Sequence, residues 1–393
     1  MFMFLFTHCQ FSVLAIIIKM FNIGCECVMA QSKHKFLSHL YLKTLFQPTI
    51  YQITQQYRCQ QNSVKNIQEK SDPVVLTKND LASLHQDIKK ELSTRLGVLS
   101  DCCHYYFDEQ GKLFRPMAVT LVGRACNAHL RKNSSLLQSQ KRMAMIAEMI
   151  HTASLLHDDV IDDATTRRNK PSVNHVFSQK QAILAGDFIL SRASILLAQL
   201  GNTKAVEYFA HIIDNLVKGE LMQLVAKDDI NERFNHYLSK TFRKTASLVA
   251  YSCKSVALMG GGDETLQQTA FDYGKNIGIA FQLVDDALDF VSTSETMGKL
   301  TGVDLNLGLA TAPVLFAAEK YPDLHVLIGR RFNNKGDVEL AFQYVQKSDA
   351  IKETFILAKQ YANQAAKTIN TLQDSVEKEA LVNLTKSIVE RAR

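Results

Sequence analysis

The run from Lys141 to Asp163 constrains the fold more than any other part of the chain. It contains neither glycine nor proline, and Met, Ile, Leu and Ala recur along it at helical spacing. That pattern predicts one long helix. Its end carries Leu155-Leu156-His157-Asp158-Asp159-Val160-Ile161-Asp162-Asp163, followed by Arg167-Arg168. On a helix Asp158 and Asp162 share a face one turn apart, with Asp159 beside them. Like charges so placed destabilise an isolated helix, so the cluster implies either a solvated acidic helix end or a bound cation. Mg²⁺ suits the second reading, because it takes hard oxygen ligands and commonly combines one or two carboxylates with substrate phosphates. The arginine pair offers fork-shaped donors for phosphate.

A second acidic run, Phe281-Gln282-Leu283-Val284-Asp285-Asp286-Ala287-Leu288-Asp289-Phe290, repeats the pattern after another apolar helical stretch. Two such clusters can face each other across a bundle interior, as carboxylates on facing helices do in metal-binding bundles. The rest of the chain suits a bundle, since only 6 Pro and 17 Gly occur in 393 residues and almost no stretch alternates with the period of a strand. Helices are expected at Leu76–Leu96, stopping at Gly97, and at Val98–Glu109, Met117–Leu130 (Pro116 in its first turn), Gln179–Leu200, Lys204–Ala226, Asn231–Leu258, Thr265–Phe290, Thr311–Lys320, Asp337–Ser348, Asp349–Leu372 and Val376–Arg393. A loop is expected at Thr165–Ser172. The expected class is all-α, with one helical domain over 71–393.

Residues 1–70 differ. They are acid-poor, with basic residues spread among Ser, Gln and Tyr, which predicts an organelle presequence. The apolar run after Met1 leaves open a signal-peptide core, a membrane anchor or a disordered extension. A formal charge of +6, without a basic stripe and interleaved aromatics, does not argue for nucleic acid. The 8 Cys lack paired zinc spacing and half lie in the leader, which fits reduced thiols.

Carboxylate clusters bridged by Mg²⁺ can grip a diphosphate from both sides, the metal acting as Lewis acid on the leaving oxygens without a protein nucleophile. Lys112 and Arg115 flank the turn before Pro116, Lys244 lies in Thr241-Phe242-Arg243-Lys244-Thr245-Ala246-Ser247, and Lys275 and Lys299 fall near the second acidic run. Singly, each is ordinarily a solvated cation. Jointly they fit a site for two phosphorylated substrates.

The ordered set Gly111-Lys112-Leu113-Phe114-Arg115-Pro116, the first acidic run with Arg167-Arg168, Leu184-Ala185-Gly186-Asp187, Lys244-Thr245, Gly278-Ile279-Ala280-Phe281-Gln282-Leu283 with the second acidic run, and Gly308-Leu309-Ala310-Thr311-Ala312-Pro313 resembles the trans-isoprenyl diphosphate synthases. The resemblance runs from about Lys90 to the carboxyl terminus, and is greatest to the long-chain mitochondrial type that makes the ubiquinone side chain. It implies an isoprenoid-synthase-type helical bundle with a central active-site cavity. It also implies that Asp158, Asp159, Asp162, Asp285, Asp286 and Asp289 hold two or three Mg²⁺ ions and an allylic diphosphate, farnesyl or geranylgeranyl. Arg167, Lys244 and Lys299 would bind that diphosphate, and Thr245 and Gln282 would line the carbocation's path. Lys112, Arg115, His151 and Arg168 would bind isopentenyl diphosphate, with a core partnership to Glu148 as the competing reading of His151. The reaction would be ionisation of the allylic C–O bond, attack by the homoallylic double bond and proton loss to the departing diphosphate. Further implications are a homodimer or a heterotetramer with a motif-poor second subunit, peripheral membrane contact, and a place in the mitochondrial matrix or on the inner-membrane face.

Two positions depart from the family pattern: Leu300 where Pro is usual, and Asn306 where Lys is usual. Ala153 and Ser154, one turn before Asp158, are small. At about 1.5 Å rise per residue one turn is roughly one isoprene unit, so small side chains there favour a long product. A short-chain synthase and a non-catalytic subunit of a heteromer are the alternatives. The first is weakened by Ala153 and Ser154, the second by the retention of both acidic runs. A terpene cyclase would carry a different second run, and a metal phosphohydrolase would need upstream histidine ligands.

Overall fold

The computed structural model describes residues 71–108, 113–131, 133–167, 170–224, 229–291 and 302–391. The leader expected over 1–70 lies outside them, as do Lys112, Arg168, Lys299 and Leu300. The described chain is helical almost throughout. It begins with α1 (Pro73–Leu81), α2 (Leu84–Leu92), α3 (Gly97–His104), α4 (Phe114–Arg131) and α5 (Gln138–Ile161). A two-residue antiparallel ladder pairs β1 (Thr166–Arg167) with β2 (Lys170–Pro171), where a loop was expected. Then come α6 (Val173–Val176), α7 (Gln179–Ala198), α8 (Thr203–Leu224), α9 (Arg233–Thr241), a π turn (Phe242–Ala246), α10 (Ser247–Met259) and α11 (Glu264–Val291). The carboxyl-terminal part contains α12 (Val303–Asn306), α13 (Ala312–Lys320), α14 (Leu324–Gly329), α15 (Asp337–Lys347), α16 (Ala350–Ile369) and α17 (Val376–Glu390).

Two long helices carry the architecture. In α5, Met143, Ile146, Ala147, Met149, Ile150, Ala153 and Leu156 are all buried, a pattern too broad for one face and therefore that of an interior helix. Its principal neighbour is α7, and together they centre a core that includes Ile88, Phe107, Ile189 and Ile212. The other long helix, α11, packs chiefly on α16 and α10, within a core built around Leu121, Tyr273, Leu283 and Phe290. Each acidic run sits at the carboxyl-terminal end of one of these helices.

Two expectations about helix boundaries are corrected. The helix expected over Leu76–Leu96 is two helices, and Gly97 opens α3 instead of closing its predecessor. The Ser93 hydroxyl donates to the Lys89 carbonyl at 2.8 Å and its backbone turns extended, a side-chain-to-backbone bond that competes with helix continuation. The helix expected over Asn231–Leu258 is interrupted by the π turn at Phe242–Ala246. Gly219 of α8 and Gly278 of α11 admit this backbone from either side. A Cβ at Gly219 would lie 2.8 Å from the Lys244 nitrogen, and one at Gly278 would lie 2.7 Å from the Ala246 Cα.

Candidate active site

The ends of α5 and α11 open on one cavity of about 590 Å³, a volume typical of small-molecule sites. Asp158 and Asp162 line it. The Asp162 amide donates to the Asp158 carbonyl at 2.8 Å, which keeps the two residues in helical register, and Asp163 adopts φ 48° as the chain turns away. Gln282 and Asp286 of α11 and Asp304 of α12 also lie on the wall, with Lys240 of α9, Lys244 and Thr245 of the π turn, and Arg167 of β1.

Burial dominates the electrostatics. It pushes the Asp158 carboxyl up to about 6, against the opposing pull of Lys244, and raises Asp162 for the same reason. Asp304 rises to about 7 through burial and the charges of Asp286 and Asp289. Asp286 is also raised by burial, although both its oxygens accept hydrogen bonds. Tyr237 donates to one at 2.5 Å and the Gln282 amide to the other at 2.8 Å, while the Thr245 hydroxyl donates to the Gln282 oxygen at 2.9 Å. One buried chain of bonds thus ties α9, the π turn and α11 together, as connected polar networks do.

The structure distributes the expected metal ligands unevenly. Asp158, Asp162 and Asp286 face the cavity; Asp159, Asp285 and Asp289 are not on its wall. Asp159 is 1% exposed, and accepts from Tyr106 at 2.6 Å and from the Arg167 Nε at 2.8 Å. Because i+1 on a helix points about 100° away from i, Asp159 faces the protein and braces Arg167. Asp289 accepts from the Val303 and Asp304 amides at 3.1 and 3.2 Å, fastening α12 to α11.

Among the expected substrate residues, Lys244 donates to Glu220 and, at 3.1 Å, to Gln223. Arg115 and His151 meet at 3.0 Å, away from the cavity wall. Ala153 is fully buried, and the Ser154 hydroxyl folds back to the His151 carbonyl at 2.8 Å. Leu155 is the residue of that turn on the cavity wall. Tyr106, Tyr237, Lys240, Glu220 and Asp304 had no assigned role in the sequence. Lys240-Thr241 does repeat Lys244-Thr245 one helical turn earlier, a signal that could have drawn attention to Lys240.

Among the described residues, no three His, Cys, Asp or Glu side chains gather tightly enough to hold a metal by themselves. Instead, desolvated carboxylates from α5 and α11 open on shared space, and the buried Thr311 hydroxyl on that wall has no protein partner. An open, hard-oxygen donor set with room for water and phosphate fits Mg²⁺.

Two expected outcomes follow from this geometry. Tyr106 also accepts from the Val173 amide at 3.1 Å, so Tyr106→Phe keeps the buried ring and removes both the bond to Asp159 and the one from Val173. It is expected to cost about 1–3 kcal/mol of stability, the penalty for stripping a buried charge-assisted bond and leaving the Val173 amide without its acceptor, and to raise the Michaelis constant for the ligand that Arg167 binds, as steady-state kinetics would report. The second concerns pH. Asp158 and Asp304 have folded-state pKa values above the ordinary 3.8, so the folded state binds more protons, and their contribution to stability is lost as pH rises through about 6 and then about 7. The metal-free melting temperature is therefore expected to fall between about pH 5 and pH 8, and Mg²⁺ with pyrophosphate to reduce that fall. Differential scanning calorimetry with and without the pair checks both.

Against this geometry stand the comparisons with known proteins. The sequence profile of the polyprenyl synthetase family matches residues 97–345. The all trans-polyprenyl-diphosphate synthase PDSS1 of Mus musculus is 48% identical over 349 residues, 88% of this chain and 85% of that protein. Decaprenyl-diphosphate synthase subunit 1 of Schizosaccharomyces pombe is 42% identical over 343 residues, 81% of this chain and 91% of that protein. A crystal structure of the Caulobacter crescentus polyprenyl synthase, complexed with calcium and isoprenyl diphosphate, superimposes with a TM-score of 0.73 at 31% identity, covering 82% of this chain and 97% of that one.

Proposed function

Because the chain belongs to the polyprenyl synthetase family, we propose that it condenses isopentenyl diphosphate onto an allylic diphosphate to build a long all-trans polyprenyl diphosphate for the ubiquinone side chain, in the mitochondrial matrix or on the inner-membrane face. The observation that carries this reading is the cavity in which Asp158 and Asp162 of α5 share one wall with Asp286 of α11, Arg167 and Lys244. Asp158, Asp162 and Asp286 would hold Mg²⁺ there, which would supply Lewis-acid neutralisation of diphosphate charge. Arg167, braced by Asp159, offers its remaining guanidinium donors to the allylic diphosphate, beside the Lys244 ammonium. Arg115 and His151, with Lys112 and Arg168, hold isopentenyl diphosphate. The allylic C–O bond breaks with its electron pair going to diphosphate, the homoallylic double bond closes the new C–C bond, and the lost proton passes to the departing diphosphate. Thr245 and Gln282, bonded to each other at 2.9 Å on the cavity wall, offer their side-chain oxygens to the positive charge that develops beside them.

Product length and assembly belong to the same proposal. Ala153 is buried and Ser154 is folded back, so neither side chain projects into the cavity beside Leu155, which favours long chains. The names of the mouse and fission-yeast relatives support both a long product and a multi-subunit enzyme. Leu184 and Ile195 of α7 and Val217, Leu221 and Leu224 of α8 are exposed, a pattern that fits association through these helices. The test is incorporation of labelled isopentenyl diphosphate onto farnesyl diphosphate with Mg²⁺ by the full chain, alone and with a candidate second subunit, with products separated by length. Long Mg²⁺-dependent products support the reading; short products, or none under either condition from a folded chain, overturn it.

A further inference from the structure

Among the described residues three cations reach the cavity wall, and the protein already engages two of them. Arg167 donates to Asp159, and Lys244 donates to Glu220 and Gln223. Lys240 differs. Among the described residues it makes no hydrogen bond and no ion pair, and its ammonium lies 5.5 Å from the centre of the Tyr237 ring. The negative groups nearest in influence are Asp286 and Asp304, yet both Asp286 oxygens already accept bonds from Tyr237 and Gln282. An ammonium in a half-buried position without a counter-ion is unfavourable unless something absent from the chain completes it.

Its position says what that partner is. Lys240 stands one helical turn before Lys244 and lines the same cavity, so an anion held by Lys244 is within reach of both. The facing helix α12 brings Asp304 to the wall without a cation, since the Asn306 amide donates to the Gly302 carbonyl of its own turn at 2.8 Å. Beside Arg167 and Lys244, Lys240 is a third cation on the described wall, and the one whose ammonium no protein hydrogen bond holds back from a ligand.

We infer that Lys240 is a diphosphate-binding residue of this cavity, supplying from α9 the positive charge that α12 does not, an assignment that rests on the prenyl-transfer reading of the site. The ammonium contributes as a point charge that shifts its hydrogen bonds among the phosphate oxygens. The rival explanation is structural, with Lys240 merely offsetting the charge of Asp286 and Asp304 at a distance.

The experiment is calorimetric titration of inorganic pyrophosphate, with Mg²⁺ present, into the full chain and into Lys240→Gln and Lys240→Arg, alongside melting temperatures and Michaelis constants for both substrates. The expected result for Lys240→Gln is a loss of pyrophosphate affinity of about tenfold or more, the equivalent of about 1.4 kcal/mol. The Michaelis constant should rise for the allylic diphosphate and hold for isopentenyl diphosphate. Lys240→Arg should recover most of the affinity, and melting should be unchanged or slightly higher in both variants. Pyrophosphate affinity within twofold of the parent in Lys240→Gln overturns the inference, as does a fall in melting temperature with affinity retained, which marks the structural role. A parent chain that neither binds pyrophosphate nor turns over removes the functional reading and this inference together. A parent that turns over normally, beside a Lys240→Gln that binds normally, removes this inference alone.

Discussion

Asp158→Ala is expected to lower turnover by about 10³-fold, at the upper end of what removal of one preorganised electrostatic group costs, while leaving the fold intact or slightly more stable. Both halves come from the same observation. Asp158 is a largely buried carboxyl whose proton affinity burial has raised, so in the metal-free chain its ionised form is a liability that alanine removes. That liability is the functional asset, because a desolvated carboxylate on a cavity wall attracts a divalent cation strongly. Thermal melting of the metal-free variant and single-turnover assays at saturating substrate separate the effects. Loss of activity together with loss of the folded state would make Asp158 a structural residue instead.

The second large effect concerns a residue with no functional group. Gly278→Val is expected to destabilise the chain by about 1–3 kcal/mol, the usual cost of overpacking a close contact, and to reduce activity further than that loss explains. The added Cβ meets the Ala246 Cα at 2.7 Å, which is backbone and cannot swing aside. On the opposite side the π turn is bounded by Gly219, where a Cβ would meet the Lys244 nitrogen at 2.8 Å. The turn between them carries Lys244 and Thr245, so relief of the clash must move those side chains. Denaturant unfolding measures the first effect, and kinetics at a temperature where the variant is fully folded measures the second.

The periodicity of the chain made its long helices legible. α5 and α11 fall within a few residues of the expected boundaries, and the paired acidic runs indicated which of their ends would meet. The family resemblance carried Lys244, Thr245 and Gln282 to the cavity wall, where they are found. Less legible was which side of a helix each carboxylate would take. Adjacent aspartates look equivalent in a motif, yet Asp158 faces the cavity and Asp159 faces Tyr106 and Arg167. That division depends on where a tyrosine from the end of α3 and an arginine from β1 come to rest, contacts 53 and 8 residues away in sequence. The π turn was also hidden. It arises where Gly219 and Gly278 permit close approach, and no local pattern in Asn231–Leu258 announces it. Lys240 is not legible in the sequence, because one lysine on a helix is ordinarily solvated.

The wide turn at Phe242–Ala246 has a consequence for how this region can vary in length. π turns are commonly found at functional sites, and here the turn absorbs one extra residue between α9 and α10. Tyr237 and Lys240 before it, and Thr245 within it, all address the same cavity. Inserting one further position between Phe242 and Ala246, with no second wide turn to absorb it, would rotate everything upstream by about 100°, carrying Tyr237 off Asp286 and Lys240 off the wall. Conservative substitutions can be absorbed between Tyr237 and Thr245, but an added residue cannot.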